Sequence, residues 1–311
     1  MPRENEGGWL RRRMLAGLAA VLAGCQSAPK APALPPQPEK PVLPPAAAPR
    51  PAPKPPLIGL ALGGGAARGF AHIGVIQVLE EAGIRPDLVI GTSAGSLVAA
   101  LYAAGKSGAE LSTLAQSMDS GAIADWAFPG RGLIRGEALA RYVREHTGGK
   151  RIEQMRLPLG IVATDLDSGE GIVFRVGDTG VAVRASSAVP AVFQPVRIGT
   201  REYVDGGLVA PVPVRYARQM GAQFVIAVDI SEATEGAATG DAMRMLLQTF
   251  SIMGRSINRF ELAEADVVLQ PRLRGVSGAD FASRARSIQA GREAALAQLS
   301  QIRLRIVEQT H

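Results

Sequence analysis

Twice between residues 57 and 104 the chain repeats one local pattern: an unbroken apolar run, a glycine-bearing turn, then a helical pattern. The first copy is Leu57 to Leu62, a loop from Gly63 to Gly69, and an expected helix from Phe70 to Ala82 with one broad apolar face. The second is Leu88 to Ile90, Gly91-Thr92-Ser93-Ala94-Gly95, and a small-residue helix from Ala94 to Ala104. Apolar runs without alternation suit strands buried on both faces, the condition of a parallel sheet. Strands that alternate with helices form such a sheet through crossovers that cover both faces. Leu159–Ala163, Phe224–Val228 and, more weakly, Val267–Leu269 read as further strands. Ile172–Val176 and Arg197–Val204 read as shorter strands of antiparallel type, and helices are expected at 136–147, 179–187, 211–221, 241–264 and 280–307. The expected fold class is α/β: a mostly parallel central sheet flanked by helices in three layers.

The first 56 residues read differently. Arg11-Arg12-Arg13 precedes a short apolar stretch, Met14 to Leu22, and then Leu22-Ala23-Gly24-Cys25. A run this short cannot span a bilayer and reads as a secretory signal, residues 1–24. The L-A-G-C ending resembles a bacterial lipobox, which implies that Cys25 is lipidated and becomes the new N-terminus. It is the chain's single cysteine, so an intramolecular disulfide framework and a cysteine zinc site are excluded. Residues 26–56 hold thirteen of the 22 prolines, a composition that favours extended polyproline II and not helix or sheet. Such a tract reaches about 95 Å. Residues 25–56 therefore read as a semi-rigid tether, with 57–311 as one α/β domain. Lys and Arg are dispersed at a net charge of +6, which suits an anionic membrane surface and gives no nucleic-acid signal.

Gly91-Thr92-Ser93-Ala94-Gly95 is a G-x-S-x-G sequence between a strand and a helix. A nucleophilic serine on a sharp strand-to-helix turn sits in a strained backbone, and small neighbours relieve the crowding. Its hydroxyl then projects at the positive end of the following helix. The alternative role is that of a serine capping the helix. Gly63-Gly64-Gly65-Ala66-Ala67-Arg68-Gly69 can cradle a phosphate or an oxyanion on backbone N–H groups. A dinucleotide fingerprint is disfavoured: Arg68 takes the last glycine position, and the second strand ends in Ser93 and not in the acid that binds ribose. Arg68 either buttresses the loop, attracts an anionic group, or makes a surface ion pair.

A serine needs a proton acceptor. The three histidines are His72 at the start of a helix, His146 among charges, and His311 at the end. This makes a late-histidine triad and a histidine-rich metal centre unfavourable. A carboxylate must then act directly. Asp205-Gly206-Gly207 follows Tyr203-Val204 at a strand end, where it is either a base or a tight D-G turn. Asp165 and Asp167, in Thr164-Asp165-Leu166-Asp167, read as turn or capping residues. Trp126 and Phe128 read as part of a lid-like, membrane-facing loop or of a buried cluster.

Together, Gly63–Gly69, Gly91–Gly95 and Asp205–Gly207 resemble the three signatures of patatin-like phospholipases. The stretches Ala163-Thr164-Asp165 and Ala185-Ser186-Ser187-Ala188-Val189-Pro190 resemble the family's bacterial branch. The resemblance implies a patatin-like three-layer fold and a Ser–Asp dyad without histidine or cofactor. Ser93 would be the nucleophile and Asp205 the general base. Gly64, Gly65 and Ala66 would donate to the oxyanion, supported by Gly63, Arg68, Gly69, Gly91, Gly95, Gly206 and Gly207. The implied substrate is a phospholipid or another acyl ester. A general carboxylesterase or thioesterase on the same dyad is the alternative within this chemistry, and a catalytically silent envelope lipoprotein is the alternative outside it. The lipobox resemblance places the protein on the bacterial envelope, with the outer membrane favoured by Gln26.

Overall fold

The computed structural model describes residues 54–118, 132–231, 240–276 and 280–310. Cys25, the signal segment, nearly all of the proline tract, Trp126, Phe128 and His311 lie outside them.

Five parallel strands form the sheet's main body, in the order β10 (Val267–Leu269), β9 (Phe224–Val228), β1 (Ile58–Leu62), β2 (Leu88–Thr92) and β4 (Leu159–Asp165). Three antiparallel strands extend it: β5 (Gly171–Phe174), β8 (Arg201–Asp205) and β7 (Val196–Ile198). β1, β2, β4 and β9 are buried at every residue, as their unbroken apolar runs require. Alternation sorts their side chains into two layers. Leu60, Leu62, Ile161 and Ile226 pack into the main core with the helices α1 (Phe70–Glu81), α2 (Ala94–Ala103) and α8 (Arg284–Glu308). Ala61, Ile90, Val162 and Val225 face α6 (Val214–Gln219) on the other side.

Most expected helices form within a few residues of their expected bounds. α4 spans Glu137–His146, α5 Thr179–Ser186 and α7 Ala242–Glu261. Three features depart from the sequence reading. α1 is not a one-faced surface helix: nine of its twelve residues are buried, because it lies between the sheet and α8. Gly74 and Gly291 make that crossing possible. A methyl group on Gly291 would run into the Ala71 carbonyl, and one on Gly74 would lie 2.7 Å from the Arg292 nitrogen. The stretch Arg197–Val204 is not one strand but the hairpin β7–β8, turned at Gly199 with φ +63°. Finally, α3 (Gly108–Ser117) was not expected, nor was the small parallel pair of β3 (Gly132–Ile134) and β6 (Ala191–Phe193).

One joint in the sheet matters most for function. β4 pairs with β2 through residues 159–162, with β8 through residues 163–165, and with β5 through residues 161–164. Each strand residue has one partner on each edge, and β5 overlaps both other registers. β2 and β8 therefore share one edge of β4 and meet end to end there. Thr92 is opposite Val162 and Asp205 is opposite Ala163. Strands from distant parts of the chain thus finish one residue apart.

Candidate active site

Ser93 follows the last residue of β2 and caps α2 with φ +52° and ψ −123°. Positive φ at a residue with a Cβ is strained and is kept only where the surroundings hold it. Among the described non-glycine residues only Ala66, Ser93 and Ala191 have it. The surroundings of Ser93 are specific. Its N–H donates to Ser186 Oγ at 2.9 Å, and that hydroxyl donates to the Val162 carbonyl at 2.5 Å. Its carbonyl accepts from Ser96 N and Ser96 Oγ. The two glycines of the motif are spatial necessities: a methyl on Gly91 would strike the Gly95 carbonyl, and one on Gly95 would strike the Leu62 carbonyl.

Asp205 ends β8 and is buried. Its N–H donates to the Ala188 carbonyl, and its own carbonyl accepts from Thr164 Oγ1 at 2.8 Å. No hairpin follows, so the tight D-G turn of a hairpin is not what this residue makes. The chain enters a short 3-10 turn, Gly206–Leu208, and Gly207 N–H donates to Asp205 Oδ1 at 2.7 Å. A methyl on Gly206 would meet the Val162 carbonyl, so glycine lets the turn lie against β4. Burial raises the Asp205 carboxyl from its ordinary value to about 6, opposed in part by the Gly207 N–H and the Ser93 hydroxyl. Ser93 thus lies near enough to be felt, yet Asp205 Oδ2 is buried without a hydrogen bond of ordinary geometry. Catalytic contacts are often long in an unliganded site and close on substrate.

The glycine loop lies beside the serine. A Cβ on Gly64 would sit 3.2 Å from Ser93 Cβ, and one on Gly69 would sit 2.9 Å from Ala94 Cβ. Of the three expected oxyanion donors, Gly64 is already committed: its N–H donates to the Pro211 carbonyl at 2.9 Å. Gly63 N–H likewise donates to the Val228 carbonyl. The N–H groups of Gly65 and Ala66 make no hydrogen bond among the described residues. Among the three expected donors, the pair left free in this structure is Gly65 and Ala66.

His72 is fully buried, and its Nε2 lies 2.8 Å from the Gly63 carbonyl. Burial lowers its pKa to about 4, so the ring is neutral at neutral pH and Nε2–H is the donor to Gly63. It holds the loop and does not touch Ser93 or Asp205 by any hydrogen bond. Arg68 buttresses the loop through Nε, which donates to the Ile230 carbonyl at 3.0 Å. Asp165 is a turn residue: Oδ1 accepts from Asp167 N and Ser168 N, and Oδ2 pairs with Arg201 at 2.5 Å, which lowers the carboxyl. Sequence reasoning did not assign Ser186. Its one signal was its place in the Ala185–Pro190 stretch, which touches the serine through Ser186 and the aspartate through Ala188.

A parallel α/β sheet with a strained serine elbow, a glycine loop with free N–H groups and a buried aspartate at one strand edge defines a class of serine-centred α/β protein. A family model described as patatin-like phospholipase matches residues 60–218, just over half of the chain. The chain belongs to the patatin-like phospholipase family. It is 34% identical over 218 residues to an uncharacterized NTE family protein of Mycobacterium tuberculosis, covering 69% of this chain and 60% of that one. It is 36% identical over 196 residues to patatin-like phospholipase domain-containing protein 6 of Homo sapiens, covering 60% of this chain and 14% of that one. The chain thus matches less than two thirds of the length of either relative. Among solved structures, VipD from Legionella pneumophila superposes with a TM-score of 0.57 at 16% identity, over 79% of this chain and 67% of that chain, a likeness of fold.

Proposed function

We propose that this protein is a serine lipid acyl hydrolase of the phospholipase A or lysophospholipase type, working through a Ser93–Asp205 dyad. The observation that carries the reading is a strained serine beside a buried aspartate whose Oδ2 has no hydrogen-bond partner among the described residues. Asp205 takes the Ser93 hydroxyl proton as Oγ attacks the ester carbonyl carbon. The carbonyl oxygen gains the displaced electron pair, and Gly65 and Ala66 N–H groups donate to it. As the tetrahedral intermediate collapses, the ester C–O bond breaks and Asp205 returns the proton to the leaving alcohol. Water then repeats the sequence on the acyl-enzyme and releases the fatty acid. Each step is acid–base and nucleophilic chemistry of this chain's own groups, so no cofactor is called for. The lipobox-like Leu22–Cys25 sequence supports a lipid anchor at Cys25, with the proline tract holding the enzyme at the bacterial envelope.

The test compares wild type, Ser93→Ala and Asp205→Asn on fluorogenic short esters, lysophospholipids and phospholipid vesicles, with and without EDTA. Wild type alone should release fatty acid, and EDTA should change nothing. Preference for short esters or thioesters over lipids would favour the general esterase. Equal activity of all three proteins would remove the dyad. A wild type that is inert to every substrate and to a serine-directed phosphonate would leave the envelope-binding alternative.

A further inference from the structure

α7 is the least buried helix against the sheet's body. Only Asn258 and Glu261 of its twenty residues are buried. Five of the twelve large hydrophobic side chains exposed among the described residues lie on it: Met245 at 57%, Leu246 at 37%, Ile252 at 51%, Met253 at 51% and Phe260 at 78%. Met245 and Ile252 form one row at seven-residue spacing, and Leu246, Met253 and Phe260 form the row beside it. Only the uncharged Ala242, Thr249 and Ser256 stand among them, so the outward arc carries no charge along a helix about 30 Å long. Arg255 and Arg259 flank the Ile252 row. Neither makes an ion pair or hydrogen bond among the described residues, and Arg255 Nε is buried without a partner. Both line a cavity of about 540 Å³ with Ile252, Asp229 and Gln270. An apolar arc with free cations along one flank is the layout of a helix that lies in a bilayer interface. Its unmatched charge is complementary to lipid phosphates and not to a second apolar face.

The inner side of α7 is tied to the active site. Val212 N–H donates to Asn258 Oδ1 at 3.1 Å, and Glu261 pairs with Arg215 at 2.5 Å. The residue before Val212, Pro211, holds Gly64 of the oxyanion loop, and Gly254 packs against Pro211. α7 also contacts the turn that follows Asp205. We infer that α7 is an interfacial docking helix, which lays its Met245–Phe260 arc into an anionic bilayer while Arg255 and Arg259 take lipid phosphates. Its use in bringing ester bonds to Ser93 rests on the hydrolase reading; the docking itself does not.

The test uses the full chain with Cys25→Ser, so that no anchor is attached, and one new cysteine bearing an environment-sensitive fluorophore at Ser256 or, as control, at exposed Ser300 on α8. Vesicles of phosphatidylcholine mixed with phosphatidylglycerol should shift the Ser256 label to the blue and leave the Ser300 label unmoved. Pure phosphatidylcholine should bind more weakly, and Arg255→Gln and Arg259→Gln should each weaken anionic binding about fivefold. No shift at Ser256 overturns the inference. A label already buried in buffer also overturns it: dependence on protein concentration would give the face to a second copy, and independence to another segment of this chain. Met253→Glu with Phe260→Glu should lose vesicle hydrolysis and keep hydrolysis of a soluble short ester, which also reports folding. A Ser256 shift with no fatty acid released by wild type would keep the docking and reject the hydrolase reading.

Discussion

Asp205 answers two opposing demands with one side chain. Burial removes it from water and makes it a stronger base, and the same burial costs stability whenever it is ionised. Two outcomes follow at the residue scale. As the proposed base, Asp205 must be ionised, so kcat/KM on a soluble ester should be flat above about pH 6 and fall about tenfold per pH unit below it. A pH–rate profile without an inflection near this value would assign the base elsewhere. The second outcome concerns folding. The folded carboxyl holds its proton up to about pH 6, whereas the unfolded one releases it near 3.8. The folded state therefore binds more protons between those values, and stability falls as pH rises through that window and stays low above it. Asp205→Asn removes the penalty and keeps an acceptor for Gly207. It should stabilise the protein by up to about 3 kcal/mol at neutral pH and by nothing near pH 3, measured by chemical denaturation. Such a gain in stability with loss of activity is the usual trade at a strained site. His72 works in the opposite direction: it is neutral when folded, so its contribution is full above about pH 6.5 and lost as pH falls toward 4.

At the scale of elements, close helix packing sets the limits. α1 and α8 cross where Gly74 and Gly291 face backbone atoms of the other helix. Gly291→Val should push them apart and cost about 1–3 kcal/mol, the range for overpacking a tight contact. A lower denaturation midpoint with unchanged short-ester turnover per folded molecule is the expected result. An unchanged midpoint would mean that the crossing is looser than described. The legibility of elements in the sequence follows the same physics. β1, β2, β4 and β9 were readable because double burial leaves an unbroken apolar run. α3 is not legible from its weak apolar spacing; its sequence signal is the S-x-x-E of Ser107 and Glu110, which form a capping box. The β7–β8 hairpin turns on the two-residue loop Gly199-Thr200, with glycine at the first central position, a sequence signal less distinctive than Asn-Gly or Asp-Gly. The amphipathic pattern of α7 announced a helix, and not that its apolar arc would face outward.

At the scale of the whole molecule, the three motifs could be found in the sequence, but the reason they converge could not. That reason is a register: β2 and β8 end on one edge of β4, opposite Val162 and Ala163. The same register explains why Ser186, bridging Val162 and Ser93, matters although nothing in its side chain distinguishes it from other serines. Which loop N–H groups are free is illegible for a related reason, since only the folded contact with Pro211 shows that Gly64 N–H is in use. A chain that is still folding can form β1, α1, β2 and α2 from contiguous sequence, and with them the elbow and the loop. It then carries Ser93 without its proposed base. Asp205 arrives only when β8 closes onto β4, a pairing across some forty residues. In a refolding experiment, recovered esterase activity should lag behind the far-UV ellipticity of early helix formation, and simultaneous recovery of the two would reject this order. If Ser93 and Asp205 act as the proposed dyad, the fold therefore has a built-in safety catch. On the hydrolase reading, a chain still folding holds its nucleophile unarmed, and only the seam between β8 and β4 completes it.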